Sequence, residues 1–225
     1  MVAGGRGVRA ARPEGGEPKQ YRPIRGVPML ERAVRPFVAH PRVGPIVVVL
    51  PPECAAAPPG WLMKLAPGRL VVAPGGESRQ DSVANGIAVL PRGPSIVLVH
   101  DAARPFADGP LIDRVIAVAE LGAVAVPALP LAETVKEIDA AGLVVRTVPR
   151  ERMVAVQTPQ GFPRTTLETA HQRGGGEPPA TDDAALCERL GTAVRVVAGS
   201  ARNLKVTTLE DFALAEALAA LEEGA

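Results

Sequence analysis

Aromatic residues and cysteines are scarce in this sequence. Phe, Trp and Tyr together make up 3% of the 225 residues, so a folded core has to be built mainly from Val, Leu, Ile and Ala. The two cysteines, Cys54 and Cys187, lie far apart and lack the spacing of metal ligands. We therefore interpret both as small buried or half-buried residues and not as a disulfide.

Long apolar runs and an excess of charge of one sign are also missing. The apolar runs are well short of the roughly 20 residues that a membrane span needs, and the amino terminus shows no apolar signal segment. The net charge of +1 lacks the basic excess that is typical of proteins that bind nucleic acid. We expect a cytoplasmic protein whose partners include neither a membrane nor a nucleic acid.

Apolar residues are abundant, at 47% of the chain, and many fall into short runs separated by helical patterns. Nearly continuous runs of Val, Ile and Leu are typical of parallel strands that are buried on both faces. Their alternation with amphipathic helices predicts a single α/β domain over residues 1–225, with a doubly wound, mostly parallel sheet. The predicted strands are Ile46–Leu50, Leu70–Val72, Ile96–Val99, Val124–Val126 and Val194–Val197.

Three helices are predicted from their apolar stripes. Leu30–Phe37 is amphipathic, but Pro36 is expected to kink this helix or to end it early. Leu111–Leu121 carries an apolar stripe without such an interruption. The last helix starts with a capping box at Thr208. It is predicted to bury Leu214, Ala217, Leu218 and Leu221.

One segment, Thr134–Arg150, breaks the alternation of strands and helices. It has the pattern of a β-hairpin, with strands at Thr134–Ile138 and Leu143–Val148 and a turn between them. A hairpin alone buries too little apolar surface to be stable. We therefore predict an arm, at about residues 134–150, that packs on a second copy of the chain.

A glycine-rich segment followed by two cations opens the chain. Glycines let backbone amides approach phosphate oxygens, and nearby cations suit a triphosphate, although the run is equally consistent with a flexible tail. A nucleotide-binding α/β fold normally starts with a strand that leads into such a loop. Only Met1 and Val2 precede this one, so the first strand is predicted to be cut short, and we expect the natural protein to have about 5–10 more residues in a Val/Ile-rich strand. The glycine-rich segment contains Ala3, Gly4, Gly5 and Gly7, and the two positively charged residues that follow it are Arg9 and Lys19.

Further polar clusters follow predicted strands. Gly75–Ser82 opens a helix, which suits either a ligand at the helix amino terminus or a simple capping turn. His100–Pro105 lies at the carboxyl end of a buried strand, where ligands bind in open α/β sheets. Its Asp101 and Arg104 could bind a polyol hydroxyl and a phosphate, or only each other. His100 itself is expected to be a buried structural histidine.

Taken in order along the chain, these clusters resemble the 2-C-methyl-D-erythritol 4-phosphate cytidylyltransferase family, from Ala3 to about Leu221. The resemblance implies a Rossmann-like nucleotidyltransferase fold and a homodimer in which the β-hairpin arm is exchanged between subunits. It also implies transfer of CMP from CTP to 2-C-methyl-D-erythritol 4-phosphate, with release of pyrophosphate, in isoprenoid precursor biosynthesis. The matching segments are Pro18–Tyr21, His100–Pro105, Gln157–Phe162 and Asn203–Thr207.

The resemblance also implies a role for each site residue. The residues around the nucleotide would be Ala3, Gly4, Gly5, Gly7, Gly75, Gly76, Glu77 and Ser82. The catalytic cations would be Arg9, Lys19 and Lys205. The methylerythritol phosphate would be held by Asp101, Arg104, Thr134, Thr158 and Lys205, with Arg150 reaching over from the partner subunit. Mg²⁺ would be bound mainly through the CTP phosphates, and no residue is assigned as its ligand.

Such chemistry needs no protein nucleophile. The substrate phosphate is already ionised near neutral pH, so catalysis reduces to orientation and to stabilisation of charge by Lys and Arg. Gly4 and Glu133 depart from the family pattern, which has Ala and Asp there. Two other functions stay open, namely transfer to another polyol phosphate such as ribitol 5-phosphate and an inactive nucleotide-binding paralogue. Since the chain ends at Ala225, directly after the last predicted helix, we expect a single activity.

Overall fold

The computed structural model of the protein describes residues 1–4, 18–173 and 180–224, in which helices cover both faces of a central sheet. The strands are β1 (Pro23–Ile24), β2 (Val27–Pro28), β3 (Ile46–Leu50), β4 (Leu70–Pro74), β5 (Ile96–Val99), β6 (Val124–Pro130), β7 (Val135–Ile138), β8 (Val144–Val148), β9 (Val154–Val156), β10 (Gln160–Pro163) and β11 (Val194–Ala198). The helices are α1 (Met29–Ala39), α2 (Pro52–Ala56), α3 (Gly60–Leu65), α4 (Arg79–Ala88), α5 (Gly109–Glu120), α6 (Arg164–Arg173), α7 (Asp183–Arg189) and α8 (Leu209–Glu223).

The sheet consists of two parts that meet at the start of the chain. One part has the order β11-β6-β10-β5, with β9 also paired to β6, and the other is the pair β3-β4. Val2 joins them through single parallel bridges to Val49 and to Asp101. The pairs β3–β4 and β6–β11 are parallel, whereas β10 runs antiparallel to β5 and β6. The predicted α/β fold is confirmed, with two antiparallel strands, β9 and β10, in one half of its sheet.

Each predicted strand is present, but burial on both faces holds for only part of the sheet. All five residues of β3 are buried. The edge strand β11 is half-exposed, and the Val196 side chain is 52% exposed. Strands at the edge of a sheet lack a neighbour on one side, so they lose some of the helix cover that central strands share. The prediction of two buried faces was therefore wrong for β11 and also for the other edge strand, β4, where Val71 is 39% exposed.

Helix α1 continues through Pro36 to Ala39, which contradicts the predicted early end. A proline inside a helix costs about 3 kcal/mol. Val34 and Phe37, which flank it, are both buried, and each buried side chain of this size contributes about 1.5–3 kcal/mol. Burial on both sides of the proline therefore offsets its cost and keeps the helix continuous.

The capping box of α8 is present at Thr208, with Asp211 as its second member. The predicted buried stripe holds only at Leu218, which is partly buried, and is wrong for the exposed Ala217 and for Leu214 and Leu221, which are 59% and 64% exposed. The side that packs against Ile24, Met29 and Phe106 carries instead Phe212, Ala215 and Ala219. Helix α5 buries its predicted stripe, which consists of Leu111, Ile112, Val115, Ile116 and Ala119.

Strands β7 and β8 form the predicted hairpin, separated from the main sheet. Most of their side chains are exposed, including the apolar residues Ile138, Val144 and Val145, which are about 60% exposed. The two cysteines are free thiols, and Cys187 is buried. Within the described residues, every helix is too short or too polar to cross a membrane.

Candidate functional site

A cleft of about 1000 Å³ opens at the carboxyl ends of β3, β4 and β5, next to Val2, Ala3 and Gly4. This is the edge where ligands bind in open α/β sheets. Gly5, Gly7 and Arg9 lie outside the described residues. The predicted site residues that line the cleft are Ala3, Gly4, Lys19, Gly75, Gly76, Glu77, Ser82, Asp101 and Lys205.

The glycine side of the cleft is tightly packed around Ser82. The Ser82 hydroxyl accepts a hydrogen bond from the Gly76 amide at 3.1 Å and donates to the Ser78 carbonyl at 2.9 Å. A Cβ on Gly76 would lie 2.3 Å from the Cβ of Asp81, so no side chain fits there. Ser78 caps α4 through a capping box with Asp81. The segment is therefore a capped helix start that also presents bare backbone to the cleft.

Two lysines converge on the opposite side. The Lys205 ammonium donates to Asp101 at 2.8 Å, and the Lys19 ammonium donates to the Val206 carbonyl at 2.5 Å. Lys19 belongs to a 3₁₀ turn at Lys19–Tyr21. Lys19 and Lys205 are far apart in sequence. The loop that carries Lys205 and Val206 brings their ammonium groups to the same cleft, because Lys19 binds the Val206 carbonyl.

Asp101 is held between two cations. Its second oxygen accepts from the Arg79 Nε at 3.2 Å. Burial raises the pKa of this carboxyl, but Arg79 and Lys205 outweigh that effect and lower it to about 2. Arg79 in turn donates to the fully buried Asp183 at 2.7 Å, and His171 contacts the same carboxylate at 2.9 Å. Asp101 is therefore ionised at neutral pH. It is held in place by Arg79, which is itself fixed by the buried Asp183.

Arg79 was not identified from the sequence. The signal was its place in the first turn of α4, where the helix dipole disfavours a positive charge. A cation that tolerates this position needs carboxylates nearby, and here Asp101 and Asp183 supply them. Of the neighbouring carboxylates Asp182 and Asp183, the first caps α7 and the second binds Arg79.

Replacing Arg79 with Gln is expected to lower kcat/KM by roughly 10–10²-fold, because Asp101 loses one of its two fixed partners. Loss of a cation raises the pKa of a neighbouring carboxyl. The pH profile of kcat/KM should therefore gain an acid limb near the ordinary Asp value of about 4. Arg164→Gln is the control, since Arg164 also pairs with a carboxylate, Glu168, but lies at the other end of the sheet. An unchanged pH profile with normal kcat/KM would exclude this role for Arg79.

Arg104 and Thr158 lie behind the cleft and do not line it. Thr158 accepts from the Asp101 amide at 3.0 Å, and its hydroxyl contacts His100 at 3.0 Å. Arg104 donates to the Asn203 carbonyl at 2.8 Å. As predicted, His100 is buried, and burial lowers its pKa to about 4. In this chain Thr158 and Arg104 position the loops that carry Asp101 and Lys205.

Thr134 and Arg150 lie at the two ends of the β7–β8 hairpin, where both are exposed. Neither lines the cleft of its own chain. The Arg150 guanidinium contacts the Ala132 carbonyl, which lies at the base of the same hairpin. The structure therefore separates these two predicted substrate ligands from the other site residues of the same chain.

Comparisons with known proteins give a consistent result. The sequence matches the family described as 2-C-methyl-D-erythritol 4-phosphate cytidylyltransferase over residues 1–220. A relative of that name from Streptomyces avermitilis is 48% identical over 98% of this chain and 90% of its own. The bifunctional enzyme IspD/IspF of Solidesulfovibrio magneticus is 44% identical over 97% of this chain, which spans 56% of that relative. The crystal structure of 2-C-methyl-D-erythritol 4-phosphate cytidylyltransferase from Thermus thermophilus has a TM-score of 0.78 at 37% identity and covers 98% of both chains.

Proposed function

The chain belongs to the 2-C-methyl-D-erythritol 4-phosphate cytidylyltransferase family, and from this premise we propose that its cleft transfers CMP from CTP to 2-C-methyl-D-erythritol 4-phosphate. A phosphate oxygen of the methylerythritol phosphate forms a bond to the α-phosphorus of CTP. The bond from that phosphorus to the β-phosphate oxygen breaks, so pyrophosphate leaves with its electron pair. The observation that carries the proposal is one cleft that combines bare glycine backbone with Lys19, Lys205 and Asp101.

The glycine side suits the nucleotide. Gly75 and Gly76 follow β4 directly and leave room for a planar base or a ribose beside the start of α4. Ala3 and Gly4 line the neighbouring wall, where amides of an irregular backbone can face phosphate oxygens. Lys19 adds a positive charge close to that wall. We place CTP here, with its triphosphate directed towards Lys19.

The polyol phosphate fits the Asp101 side. A carboxylate that is ionised and fixed by two cations can accept hydrogen bonds from hydroxyl groups of the polyol. Lys205 is bound to Asp101 and 46% exposed, so its ammonium can also reach a phosphate oxygen. Because the attacking phosphate is already an anion near neutral pH, no general base is needed. The lysines stabilise the charge that develops on the phosphorus oxygens.

We propose that Mg²⁺ enters the cleft with CTP and is coordinated mainly by phosphate oxygens. Within the part of the chain that the structure describes, no group of three His, Cys, Asp or Glu side chains could hold a metal ion. Asp101 is occupied by Arg79 and Lys205. Phosphate oxygens are hard ligands of the type that Mg²⁺ prefers. When bound, the ion neutralises part of the triphosphate charge.

We further propose a homodimer that is formed through the hairpin arm. The arm and the adjoining β9 expose apolar side chains, among them Leu143, Val145 and Val154. Several large apolar side chains exposed along one segment are typical of a protein interface. Thr134 and Arg150, at the base of the arm, would then reach the cleft of the partner subunit and bind its substrate phosphate.

Purified protein with CTP, Mg²⁺ and 2-C-methyl-D-erythritol 4-phosphate is expected to release pyrophosphate and 4-diphosphocytidyl-2-C-methyl-D-erythritol. Ribitol 5-phosphate is the matched competitor, because it offers the same phosphate on a different carbon chain. Its kcat/KM should be at least tenfold lower, on the order of what misplaced polar contacts cost. A higher kcat/KM for ribitol 5-phosphate would make the substrate assignment wrong, and no turnover of either would favour an inactive nucleotide-binding protein.

A further inference from the structure

Gln157 follows β9 directly, and its side chain is buried behind the cleft. Its backbone amide donates to the Pro127 carbonyl of β6 at 2.7 Å, which fixes the residue to the main sheet. Only 6% of Gln157 is exposed, and it does not line the cleft. Its side-chain amide is directed towards the segment after β11, which leads to Lys205.

The side-chain amide of Gln157 makes two hydrogen bonds with the backbone of one residue, Ser200. The Ser200 amide donates to Oε1 at 3.0 Å, and Nε2 donates to the Ser200 carbonyl at 2.9 Å. Strand β11 ends at Ala198, so these two bonds continue the pairing of the segment beyond the end of the strand. A side-chain amide can do this because it offers both a donor and an acceptor.

Gly199 lets the segment pass close to Gln157. Its amide donates to the Ala128 carbonyl of β6 at 2.9 Å. A Cβ at this position would lie 2.6 Å from Oε1 of Gln157 and 2.9 Å from the Ala128 carbonyl oxygen. Both distances are too short for non-bonded atoms, so any other residue would push the segment away. The path of the segment is therefore set by Gln157 and β6.

The same amide also reaches a residue close to Lys205. Nε2 of Gln157 donates to the Asn203 carbonyl at 3.3 Å, and Arg104 donates to the same oxygen at 2.8 Å. The Lys205 side chain is 46% exposed. Its place in the cleft therefore depends on the backbone that carries it, and Gln157 holds that backbone at two points.

Gln157 and its neighbour Thr158 hold two different loops. The Thr158 hydroxyl accepts from the Asp101 backbone amide at 3.0 Å, whereas Gln157 holds the segment that leads to Lys205. The side chains of these two loops meet in the cleft, where the Lys205 ammonium lies 2.8 Å from the Asp101 carboxylate. Two adjacent residues outside the cleft therefore determine how a cation and a carboxylate are placed inside it.

We propose that Gln157 is a positioning residue, which holds the segment 199–205 so that the Lys205 ammonium lies next to Asp101 and within reach of the substrate phosphate. The inference rests on the proposed function, since that function assigns the phosphate to Lys205. Gln157 itself touches no substrate. Without its amide the Ser200 backbone groups lose their partners, the segment moves away from the sheet, and Lys205 moves with it.

The kinetic test replaces Gln157 with Met, which keeps the length of the side chain and removes both the donor and the acceptor. We expect kcat to fall roughly tenfold or more, since a displacement of about 1 Å can cost 10²-fold. KM for CTP should stay within about twofold, because the glycine side of the cleft is unchanged. In a Lys205→Ala background the same substitution should change kcat by less than about twofold, because residues that act through one another are not additive.

Gln160→Met is the matched control. Gln160 is a buried amide on β10, and its hydrogen bonds go to the Asp182 carboxylate and to the Ala184 amide, at the start of α7. Its effect on kcat should be the same, within about twofold, with and without Lys205→Ala. The proposal would be overturned if Gln157→Met also lowered kcat by the same factor in both backgrounds.

The pKa of the Asp101 carboxyl, followed by ¹³C NMR, is a second measurement that needs neither CTP nor a polyol phosphate. Burial raises this pKa, and Arg79 and Lys205 together lower it to about 2. Loss of a neighbouring cation raises the pKa of a carboxyl. Gln157→Met and Lys205→Ala should therefore each raise it, and the double variant should raise it no further than Lys205→Ala does.

An unchanged Asp101 pKa in a folded Gln157→Met protein would contradict the proposal. If that variant does not fold, Gln157→Asn takes its place, because a side chain shorter by one methylene cannot make both bonds to Ser200 unless the segment moves. A protein that transfers no CMP to 2-C-methyl-D-erythritol 4-phosphate would contradict the proposed function, whereas the Asp101 pKa would still decide whether Gln157 positions Lys205.

Discussion

Turnover is expected to fall by roughly 10²-fold or more when Lys205 is replaced by Ala, and by a similar factor when Lys19 is replaced. Both ammonium groups reach the same cleft, next to the carbonyl of Val206 and the carboxylate of Asp101. Charge moves onto the phosphorus oxygens only during bond exchange, so a cation placed there stabilises the transition state more than the bound substrates. The loss should therefore appear in kcat at saturating CTP and methylerythritol phosphate.

Lys64→Ala is the matched control, because Lys64 is an exposed lysine on α3 that lies outside the cleft. It should retain normal kcat and KM. For each cleft variant, thermal unfolding checks that the fold is intact before kinetics are compared. A kcat within about twofold of the unmodified protein, with only KM raised, would show that the lysine contributes to uniform binding and not to the chemical step.

Mixing two impaired variants is expected to restore activity if the arm completes the cleft of the partner subunit. Arg150→Ala and Lys19→Ala homodimers should each lose at least about tenfold in kcat/KM, the scale of one lost charged hydrogen bond. A hybrid of the two has one cleft with both Lys19 and Arg150, and one cleft with neither. Purified through two different tags, it should show about half of the unmodified activity per dimer.

Arg146→Ala is the control for the arm. Arg146 lies on β8 and pairs with Glu137 on the facing strand, so its loss changes charge on the arm without removing a proposed substrate ligand. If purified hybrids are no more active than the homodimers, Arg150 acts within its own chain. A monomeric protein at assay concentration would exclude the exchanged arm altogether.

Several parts of this fold follow directly from the sequence. Strand β3 is a run of five apolar residues, and α5 repeats its apolar positions at a helical spacing. In both cases a single arrangement buries all the apolar side chains, so the pattern determines the structure. The glycines at positions 75 and 76 were predictable as part of the cleft for a similar reason, since they follow a strand and precede a capped helix.

Other parts depend on tertiary contacts that leave no local pattern. Helix α8 is rich in Ala and Leu on more than one side, so periodicity could not select the face around Phe212. Strand β10 contains Gly161 and Pro163, which are poor strand residues. It forms because α5 packs closely over it: a Cβ on Gly161 would lie 2.5 Å from the Val115 side chain. The Arg79–Asp183 pair joins positions that are 104 residues apart.

The buried hydrogen bonds behind the cleft have a consequence for binding affinity. The side-chain amide of Asn203 donates to the Thr158 carbonyl at 2.7 Å, and the Thr158 hydroxyl accepts from the Asp101 backbone amide at 3.0 Å. The loop that carries Lys205 is also joined to the Asp101 loop by the bond from the Val206 amide to the Ala103 carbonyl, at 2.8 Å. Conformational entropy of these loops is therefore lost during folding and not when the substrate binds. Because Asp101 and Lys205 are already held in place, more of the energy of their contacts with the substrate is retained as affinity. A polyol phosphate that is too long or too short to reach both residues gains little from induced fit.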